Sequence, residues 1–290
     1  MSSVFSLLDL LSLKKLKKEY GIKTETVPYI HREEGVVKGR DLHIVFLSKE
    51  GDRDLPVFAF VQGSAWHKQK FLPTVKKLAK MTEMGYLVAL IEYRYTDEGA
   101  YLPSQVFDAK EAIAYLHKHA HEHGGDDEHV VIAGDSSGGH TALLAGMTMA
   151  NRYFPVEGDT KVDAIVDFYA PTDPGDPDGF PSAPGGAGSE KSHEGKLFGG
   201  RKLSTIKEEV DKAVVMNYVN EDFAPVFIEH GTGDKLVAFH HALRLHEALK
   251  KAGKKHHYEL LDGAVHGGSP FYTEENLEKV DAFIREEIGG

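Results

Sequence analysis

The sequence predicts an α/β fold in which a mainly parallel sheet carries helices on both faces. Short apolar runs rich in β-branched and aromatic residues alternate with helical patterns along most of the chain. Two of these runs, residues 86–94 and 129–134, are almost continuously apolar, as strands buried on both faces are. Repeated strand–helix–strand order with short links favours parallel pairing and right-handed crossovers.

The elements follow in order from these patterns. The expected strands are residues 24–30, 42–47, 56–61, 86–94, 129–134, 162–170, 224–231 and 256–262. The first two are expected to form a hairpin. The expected helices are residues 71–85, 104–120, 139–150, 240–253 and 274–288. The spacing of four leucines near the N-terminus fits a short amphipathic helix packed on the body; they are Leu7, Leu8, Leu11 and Leu13.

Residues 171–223 interrupt this alternation for longer than a simple connection does. The segment is dense in Pro, Gly and Asp and becomes helical in pattern only near its end. It is too short and too poor in apolar residues to form a separate domain. We therefore expect residues 1–290 to form one domain with a short, cap-like insertion at about 171–223.

Composition bounds the possible partners and chemistry. The formal net charge is −11 without a long basic stretch, which counts against nucleic acid and anionic membranes as partners. The absence of cysteine excludes disulfides, a thiol nucleophile and cysteine-based zinc sites. Lysines follow the N-terminal apolar run, the reverse of a signal peptide, and no apolar run approaches the ~20 residues of a membrane span. These features predict a cytoplasmic protein.

The residues VIAGDSSGGH at 131–140 match the G-x-S-x-G pattern of a nucleophilic serine. This motif needs a sharp strand-to-helix turn, and the residues two before and two after the serine must be small. Gly134 and Gly138 meet that requirement, and a predicted strand and helix flank the turn. The motif therefore predicts Ser136 as the nucleophile, with Ser137 as the rival serine.

A serine nucleophile requires a base, and the base requires an orienting acid. On this type of sheet the chain order is serine, then acid, then histidine. Asp234 directly follows the strand at 224–231, and His266 lies in a glycine-rich loop after the last strand. We expect these two residues to complete the triad. Asp262 is the rival acid, and Glu229 is a third candidate.

Acyl transfer also requires hydrogen-bond donors for the oxyanion of the tetrahedral intermediate. One expected donor is the backbone N–H of Ser137, the residue after the nucleophile. The other is expected from Ser64 or Ala65, in the loop that follows the strand at 56–61. Gly63 is small enough for that backbone to approach the substrate. Trp66, the only tryptophan, either forms a wall of the substrate pocket or packs under the loop.

The insertion should emerge beside this site, because ligands bind at the carboxyl ends of parallel strands. It contains few apolar residues apart from Phe180, Leu197 and Phe198. A lipase lid needs a contiguous apolar face, so the expected substrates are esters with short acyl groups. A compact aromatic acyl group could pack near Trp66 and Phe180.

Several of these segments resemble the α/β-hydrolase superfamily, and in particular bacterial carboxylesterases of the hormone-sensitive-lipase-like, acetyl-xylan and feruloyl esterase types. The segment 92–116 resembles the family's Asp-Tyr-Arg region and its following helix, and GDSSGGH and GDKLV resemble its nucleophile and acid motifs. The likeness covers about residues 40–289 and implies hydrolysis of a small-molecule ester through an acyl-enzyme, without a cofactor. Two departures concern the oxyanion loop: Gln62 stands where the family usually has His, and Ser64 and Ala65 stand where glycines are usual.

Other features favour simpler interpretations. The histidines at 117–123 alternate at i, i+2 and do not gather on one helical face, so no metal site is expected. His140 is expected to pack inside its helix, and Arg94 to pair with Asp108 or Glu98. Two alternative functions remain: a peptidase of the prolyl-oligopeptidase type, for whose propeller the chain lacks room, and a non-catalytic binding protein on the same fold. Oligomeric state does not follow from the sequence.

Overall fold

A computed structural model describes residues 13–14, 17–18, 21–36, 38–51 and 53–289. The eight strands form one sheet in the order β1-β2-β4-β3-β5-β6-β7-β8. The first two strands pair antiparallel, β2 pairs antiparallel with β4, and the others are parallel. The strands are β1 (Ile22–Arg32), β2 (Arg40–Lys49), β3 (Leu55–Val61), β4 (Leu87–Ile91), β5 (Gly125–Asp135), β6 (Ala164–Phe168), β7 (Val226–Gly231) and β8 (His256–Leu261).

Seven helices accompany the sheet within the described residues from 21 onward. They are α1 (Phe71–Glu83), α2 (Ser104–His119), α3 (Ser137–Met147), α4 (His193–Leu197), α5 (Lys207–Asp211), α6 (His240–Lys251) and α7 (Glu274–Glu287). Short 3₁₀ turns join several of them. The α/β class, the mainly parallel sheet and the hairpin of the first two strands are confirmed.

The core lies on both faces of the sheet, as the apolar strands require. Along β3, Val57, Ala59 and Val61 belong to one buried cluster and Phe58 and Phe60 to the other. This alternation follows from the two-residue period of a strand. Helices α2, α3 and α6 contribute to the first cluster, and α1 and α7 to the second.

Several strands differ in length from their sequence patterns, and two of these differences show the physical cause. Strand β5 begins at Gly125, because the acidic residues before the apolar run continue the strand and Gly125 pairs with Leu55. Strand β6 ends at Phe168, because Tyr169 adopts a left-handed φ of 47° that breaks the extended backbone. Both differences arise from tertiary contacts or backbone turns that an apolar pattern does not reveal.

The insertion at 171–223 contains α4, α5 and three-to-four-residue 3₁₀ turns. Its apolar side chains pack with Trp66 in a third buried cluster, which comprises Trp66, Leu197, Phe198, Leu203, Val210 and Ala213. The segment is therefore fixed to the body through the loop that follows β3.

Most of the expected N-terminal helix lies outside the described residues. Of its leucines, Leu13 is described; it is helical and buried in the cluster that also contains Ile22. Among the described residues, no helix combines the length and the apolar character needed to cross a bilayer.

Arg94 and Asp108 form an ion pair that fixes the chain after β4 to α2. The guanidinium lies 2.8 Å from Asp108 Oδ1, and the Arg94 backbone N–H donates to Oδ2 at 2.7 Å. Arg32 also pairs with Asp108. Of the two expected partners of Arg94 the structure selects Asp108, since Glu98 pairs with Arg40 instead.

Candidate active site

The nucleophile turn occupies the junction of β5 and α3. Ser136 adopts φ 52° and ψ −126°, a conformation outside both the strand and the helix that it connects. A Cβ atom at Gly134 would lie only 2.5 Å from the carbonyl carbon of Gly138, so the two positions require glycine. The Ser136 N–H donates to the Phe168 carbonyl at 2.9 Å, which fixes the turn to β6.

The structure brings Ser136, His266 and Asp234 into one hydrogen-bonded chain. The Ser136 Oγ lies 2.8 Å from His266 Nε2, and His266 Nδ1 lies 2.6 Å from Asp234 Oδ2. The three side chains follow β5, β7 and β8, whose carboxyl ends lie at one edge of the sheet. This is the arrangement of a nucleophile, its base and the acid that orients the base.

Asp234 is buried and surrounded by donors. Its Oδ1 accepts the backbone N–H groups of Leu236 and Val237 at 2.8 and 2.9 Å, and its Oδ2 lies 3.3 Å from His230 Nε2. Burial by itself raises the pKa of Asp234, but hydrogen bonds from His230 and His266 outweigh it and hold that pKa well below its usual value. The carboxyl group is therefore ionised and acts as an acceptor only.

Neither alternative acid contacts His266 in the structure. The Asp262 carboxylate accepts the Thr232 hydroxyl at 3.2 Å, at the exposed turn after β8. Glu229 lies buried in β7, where Asn276 donates to its Oε2 at 2.7 Å and burial raises its pKa to about 7. Asp234 alone of the three proposed acids lies within hydrogen-bonding distance of the imidazole.

The loop after β3 turns sharply beside the nucleophile. Ala65 and Trp66 both have left-handed φ values, 53° and 58°. The Gly63 N–H donates to Asp135 Oδ1 at 2.6 Å, and the N–H groups of Ser64 and Trp66 donate to Ser137 Oγ at 2.9 and 3.1 Å. Among the described residues, no group accepts the N–H of Ala65. Of the two expected loop donors, Ala65 is therefore the one left free.

A small pocket of about 30 Å³ opens beside Ser136. Its wall is largely apolar, and it contains two of the residues expected to bind substrate, Trp66 and Phe180, together with Ala65 and Ser137. Gly63 does not line it. The lining residues are Ala65, Trp66, Ser136, Ser137, Pro171, Phe180, Ala183, His193, Glu194, Leu236 and Val237.

Trp66 fulfils both interpretations that the sequence left open. Its side chain is almost fully buried against the insertion, and it also lines the pocket beside Ser136. Its indole ring meets the His140 ring edge-on, with 5.5 Å between the centroids. His140 is buried in α3 and its Nε2 lies 2.8 Å from the Ala213 carbonyl, so it packs within the helix and has no contact with Ser136 Oγ.

Sequence reasoning missed a group of polar side chains around Asp135. Its Oδ2 accepts the hydroxyls of Tyr169 and Tyr272 at 3.1 and 3.2 Å, and Lys77 Nζ lies 3.7 Å away. The Tyr169 ring also packs edge-on against the His266 ring at 5.0 Å. A signal existed for Tyr169, since it follows β6 at the same sheet edge as the triad. The contribution of Tyr272 depends on a distant turn and carries no local signal.

One group of side chains has donor atoms close enough to hold a metal ion. Ligand atoms of Asp176, His240 and His241 lie within 4.8 Å of one another. However, Arg244 and His240 already donate to Asp176 Oδ2 at 2.7 Å each, and the adjacent guanidinium opposes a second cation. Burial lowers the pKa of His241 to about 3. The contacts of Asp176 with His240 and Arg244 therefore account for this cluster of side chains.

The histidines at 117–123 are engaged with neighbouring groups. His117 Nδ1 and Nε2 lie 2.7 and 2.9 Å from the carbonyls of Asp127 and Lys161. His121 Nδ1 lies 2.6 Å from Asp127 Oδ2. The two imidazoles at i, i+4 thus use separate partners and do not converge.

Comparison with known proteins finds a matching family model and relatives that are named as esterases. The BD-FAE family model matches residues 43–249. Esterase LipC from Mycobacterium tuberculosis is 26% identical over 91% of this chain and 71% of its own length. The chain spans 55% and 47% of the length of two further curated relatives from that organism, about half of each.

Solved structures agree on the fold. A truncated form of a carbohydrate esterase from gut microbiota superposes with a TM-score of 0.78 at 22% identity and covers 94% of this chain and 99% of that one. A thermophilic esterase from Thermogutta terrifontis has a TM-score of 0.67 at 25% identity, with 91% of this chain and 92% of that chain covered. Both likenesses extend over more than nine-tenths of this chain, and they show that it shares the α/β-hydrolase fold of these structures.

Proposed function

Because the chain belongs to the BD-FAE family of α/β-hydrolase-like proteins, we propose that it is a serine esterase that hydrolyses short-chain or small aromatic carboxylic esters. The observation that carries the proposal is the chain of two hydrogen bonds from Ser136 through His266 to Asp234. We propose small-molecule esters as its substrates, and acetyl or feruloyl groups released from plant polysaccharides as a more specific candidate class.

The proton positions follow from the ionised Asp234. A carboxylate can only accept a hydrogen bond, so His266 Nδ1 carries a proton and donates a hydrogen bond to Asp234 Oδ2. In neutral His266 the Nε2 lone pair then accepts the Ser136 hydroxyl proton. As Ser136 Oγ attacks the ester carbonyl carbon, this proton passes to Nε2 and is returned to the leaving alcohol. Water attacks the resulting acyl-enzyme by the same route in reverse.

The negative charge that develops on the carbonyl oxygen needs two donors. We assign the backbone N–H groups of Ser137 and Ala65, which both border the pocket beside Ser136. Ser64 is excluded from this role in the proposal, because its N–H is held by Ser137 Oγ.

The size of the pocket favours a short acyl group. About 30 Å³ accommodates roughly two water molecules, so an acetyl group suits it better than a feruloyl group. The apolar wall suits a methyl group, and the insertion closes the pocket through Phe180 and Ala183. A feruloyl ester would need the insertion to move. The cytoplasmic location expected from the sequence stays a prediction.

The test compares the wild-type chain with Ser136→Ala. Removing the hydroxyl leaves the fold and should reduce kcat for p-nitrophenyl acetate by about 10⁴-fold or more. Ser48→Ala, on β2 at the far side of the sheet, is the matched serine control and should keep full activity. Equal turnover by the wild type and Ser136→Ala would refute the proposed nucleophile.

Substrate class is tested with a panel of esters. We expect kcat/KM to fall from acetyl to butyryl to palmitoyl esters of p-nitrophenol, and acetylated xylo-oligosaccharides to be hydrolysed. Preference for palmitoyl esters, or activation at an emulsion surface, would contradict the short-acyl assignment. Faster turnover of a dipeptide anilide than of any ester would instead identify a peptidase.

A further inference from the structure

The loop that follows β3 holds an unfavourable backbone conformation without glycine. Ala65 and Trp66 are consecutive residues with side chains, and both have left-handed φ values. Residues with a Cβ atom disfavour this region because Cβ crowds the backbone carbonyl oxygen. Such a turn persists only where surrounding contacts hold it.

Those contacts converge on a single hydroxyl group. Ser137 Oγ accepts the N–H of Ser64 at 2.9 Å and the N–H of Trp66 at 3.1 Å. These are the two residues on either side of Ala65. Ser137 is only 1% exposed, so these bonds are shielded from water.

Ser137 Oγ can also satisfy its own proton. Both lone pairs of the oxygen are engaged by the loop, so its O–H must donate elsewhere. The buried Tyr93 hydroxyl interacts with the hydroxyls of Ser64 and Ser137, which oppose the rise that burial causes in its pKa, and it lies 2.8 Å from Ser64 Oγ. The hydroxyl of Ser137 is thus the centre of a buried network that includes α3, the loop and Tyr93, the second residue after β4.

The pattern of bonds leaves one N–H free. Asp135 holds the N–H of Gly63, Ser137 Oγ holds those of Ser64 and Trp66, and the N–H of Ala65 has no acceptor among the described residues. The two residues that flank the nucleophile therefore hold every loop N–H around Ala65.

We propose that the Ser137 hydroxyl is a positioning group of the oxyanion hole. It fastens the strained turn so that the Ala65 N–H remains directed toward the carbonyl oxygen of the substrate, while the Ser137 backbone supplies the second donor. One residue thus provides one donor and fixes the other. The inference rests on the proposed esterase function and adds a role for this hydroxyl that the nucleophile motif does not require.

The test uses Ser137→Ala, which keeps the backbone N–H of residue 137 and removes the hydroxyl that accepts the N–H groups of Ser64 and Trp66. We expect kcat for p-nitrophenyl acetate to fall roughly tenfold to a hundredfold, which does not exceed the decrease caused by removing one oxyanion donor. The KM should change by less than about threefold. The second readout is the matching thionoester, p-nitrophenyl thionoacetate. Its sulfur is a poorer acceptor of N–H bonds, so the preference for the oxygen ester should fall by a similar factor.

Thr141→Val is the matched control. Thr141 lies one turn further along α3, is equally buried at 1% exposure, and donates its hydroxyl to the Ser137 carbonyl at 3.0 Å. Within the described part of the chain its hydroxyl makes no hydrogen bond to the loop, so its loss should leave the oxygen-to-sulfur preference unchanged. Ser137→Cys keeps the side-chain size with a weaker acceptor and should show the same direction of change, which covers the case in which Ser137→Ala does not fold.

The outcomes separate this inference from the proposed function. An unchanged kcat and an unchanged oxygen-to-sulfur preference in a folded Ser137 variant would overturn the positioning role, even with Ser136→Ala inactive. An equal loss of preference in Thr141→Val would overturn it as well, because the effect would then be general to α3. Wild-type activity in Ser136→Ala would instead remove the proposed function itself.

Discussion

The nucleophile turn and the oxyanion loop both contain residues with a left-handed φ, but different interactions stabilise the two turns. Each contains residues with a left-handed φ after a parallel strand: Ser136 directly follows β5, and Ala65 stands four residues beyond the end of β3. At Ser136 the turn is made possible by the small size of Gly134 and Gly138, which pass close to each other. At Ala65 and Trp66 no glycine is present, and hydrogen bonds to the flanks of the nucleophile hold the chain.

This difference shows where the information for each turn resides. The nucleophile turn is recognisable within five positions, because small residues must stand at 134 and 138, although the space at Gly138 is limited by the end of β3. The oxyanion loop is encoded in contacts with Asp135 and Ser137, which lie about seventy positions further along the chain. In the folded protein the conformation of the loop therefore depends on the position of the nucleophile turn.

The largest effect is expected from a methyl group on the nucleophile turn. In Gly138→Ala the new Cβ would lie against the Val61 carbonyl oxygen and 2.7 Å from the carbonyl carbon of Gln62, at the end of β3. Backbone cannot yield there cheaply, so we expect activity to fall at least about a hundredfold and stability by about 1–3 kcal/mol. Initial rates and urea unfolding measure the two effects.

Gly35→Ala provides the control for that change. Gly35 has a φ of 87° in the turn between β1 and β2, and a Cβ there meets no atom within 4 Å. It should cost about 1 kcal/mol of stability through backbone strain alone and leave activity intact. Wild-type activity in Gly138→Ala would contradict the difference between the two turns, because small residues would then not be required at the nucleophile turn.

An intermediate effect is expected at His140, which contacts both regions. It lies in α3 after the nucleophile turn and packs on Trp66 of the loop. Burial lowers its pKa to about 4, below the ~6.5 of an unfolded histidine. The folded state therefore favours the neutral ring, and its contribution to stability is complete above about pH 6.5 and is lost as the pH falls toward 4.

His140→Gln removes this titration while an amide replaces the donor to the Ala213 carbonyl. We expect the wild type to lose up to about 3 kcal/mol more than the variant between pH 7 and pH 4, whatever the variant costs at neutral pH. Urea unfolding across this range gives both curves, and the interval from pH 7 to 8, where the two should run parallel, is the internal control. Parallel curves down to pH 4 would show that His140 does not join the two regions as a buried neutral group.

The smallest effect is expected from the opposite exchange in the loop. Ala65→Gly relieves the left-handed strain but increases the flexibility of the unfolded chain, so stability should change by no more than about 1 kcal/mol. The three flanking hydrogen bonds remain, and kcat should change by less than about threefold. Thermal unfolding and ester turnover measure both. A loss as large as that of Gly138→Ala would mean that the methyl group of Ala65, and not the hydrogen bonds, shapes the loop.

The sequence was sufficient for the features that depend on local pattern. Apolar runs placed the eight strands, and the chain order of the motif selected Ser136, Asp234 and His266, which the structure brings into contact. The preference for Asp234 over Asp262 followed from its position after β7. The assignment of these residues as catalytic stays a prediction until the variants are measured.

Features that depend on distant contacts could not be derived in the same way. Ser64 and Ala65 were equivalent in the sequence, and only the bond from Ser64 to Ser137 Oγ distinguishes them. The two tyrosines on Asp135 come from β6 and from the turn before α7, so no spacing connects them. The burial of Trp66 against the insertion likewise joins segments that are far apart in the chain.

That contact has a consequence for how such a protein can be altered or can diverge. The insertion forms much of the pocket wall, and its apolar side chains pack on the indole ring of Trp66. We therefore expect that a different segment grafted between β6 and β7 would change the substrate specificity while the proposed triad stays the same. The graft must bring an apolar surface to cover Trp66, and a polar replacement would leave that indole ring exposed at the pocket.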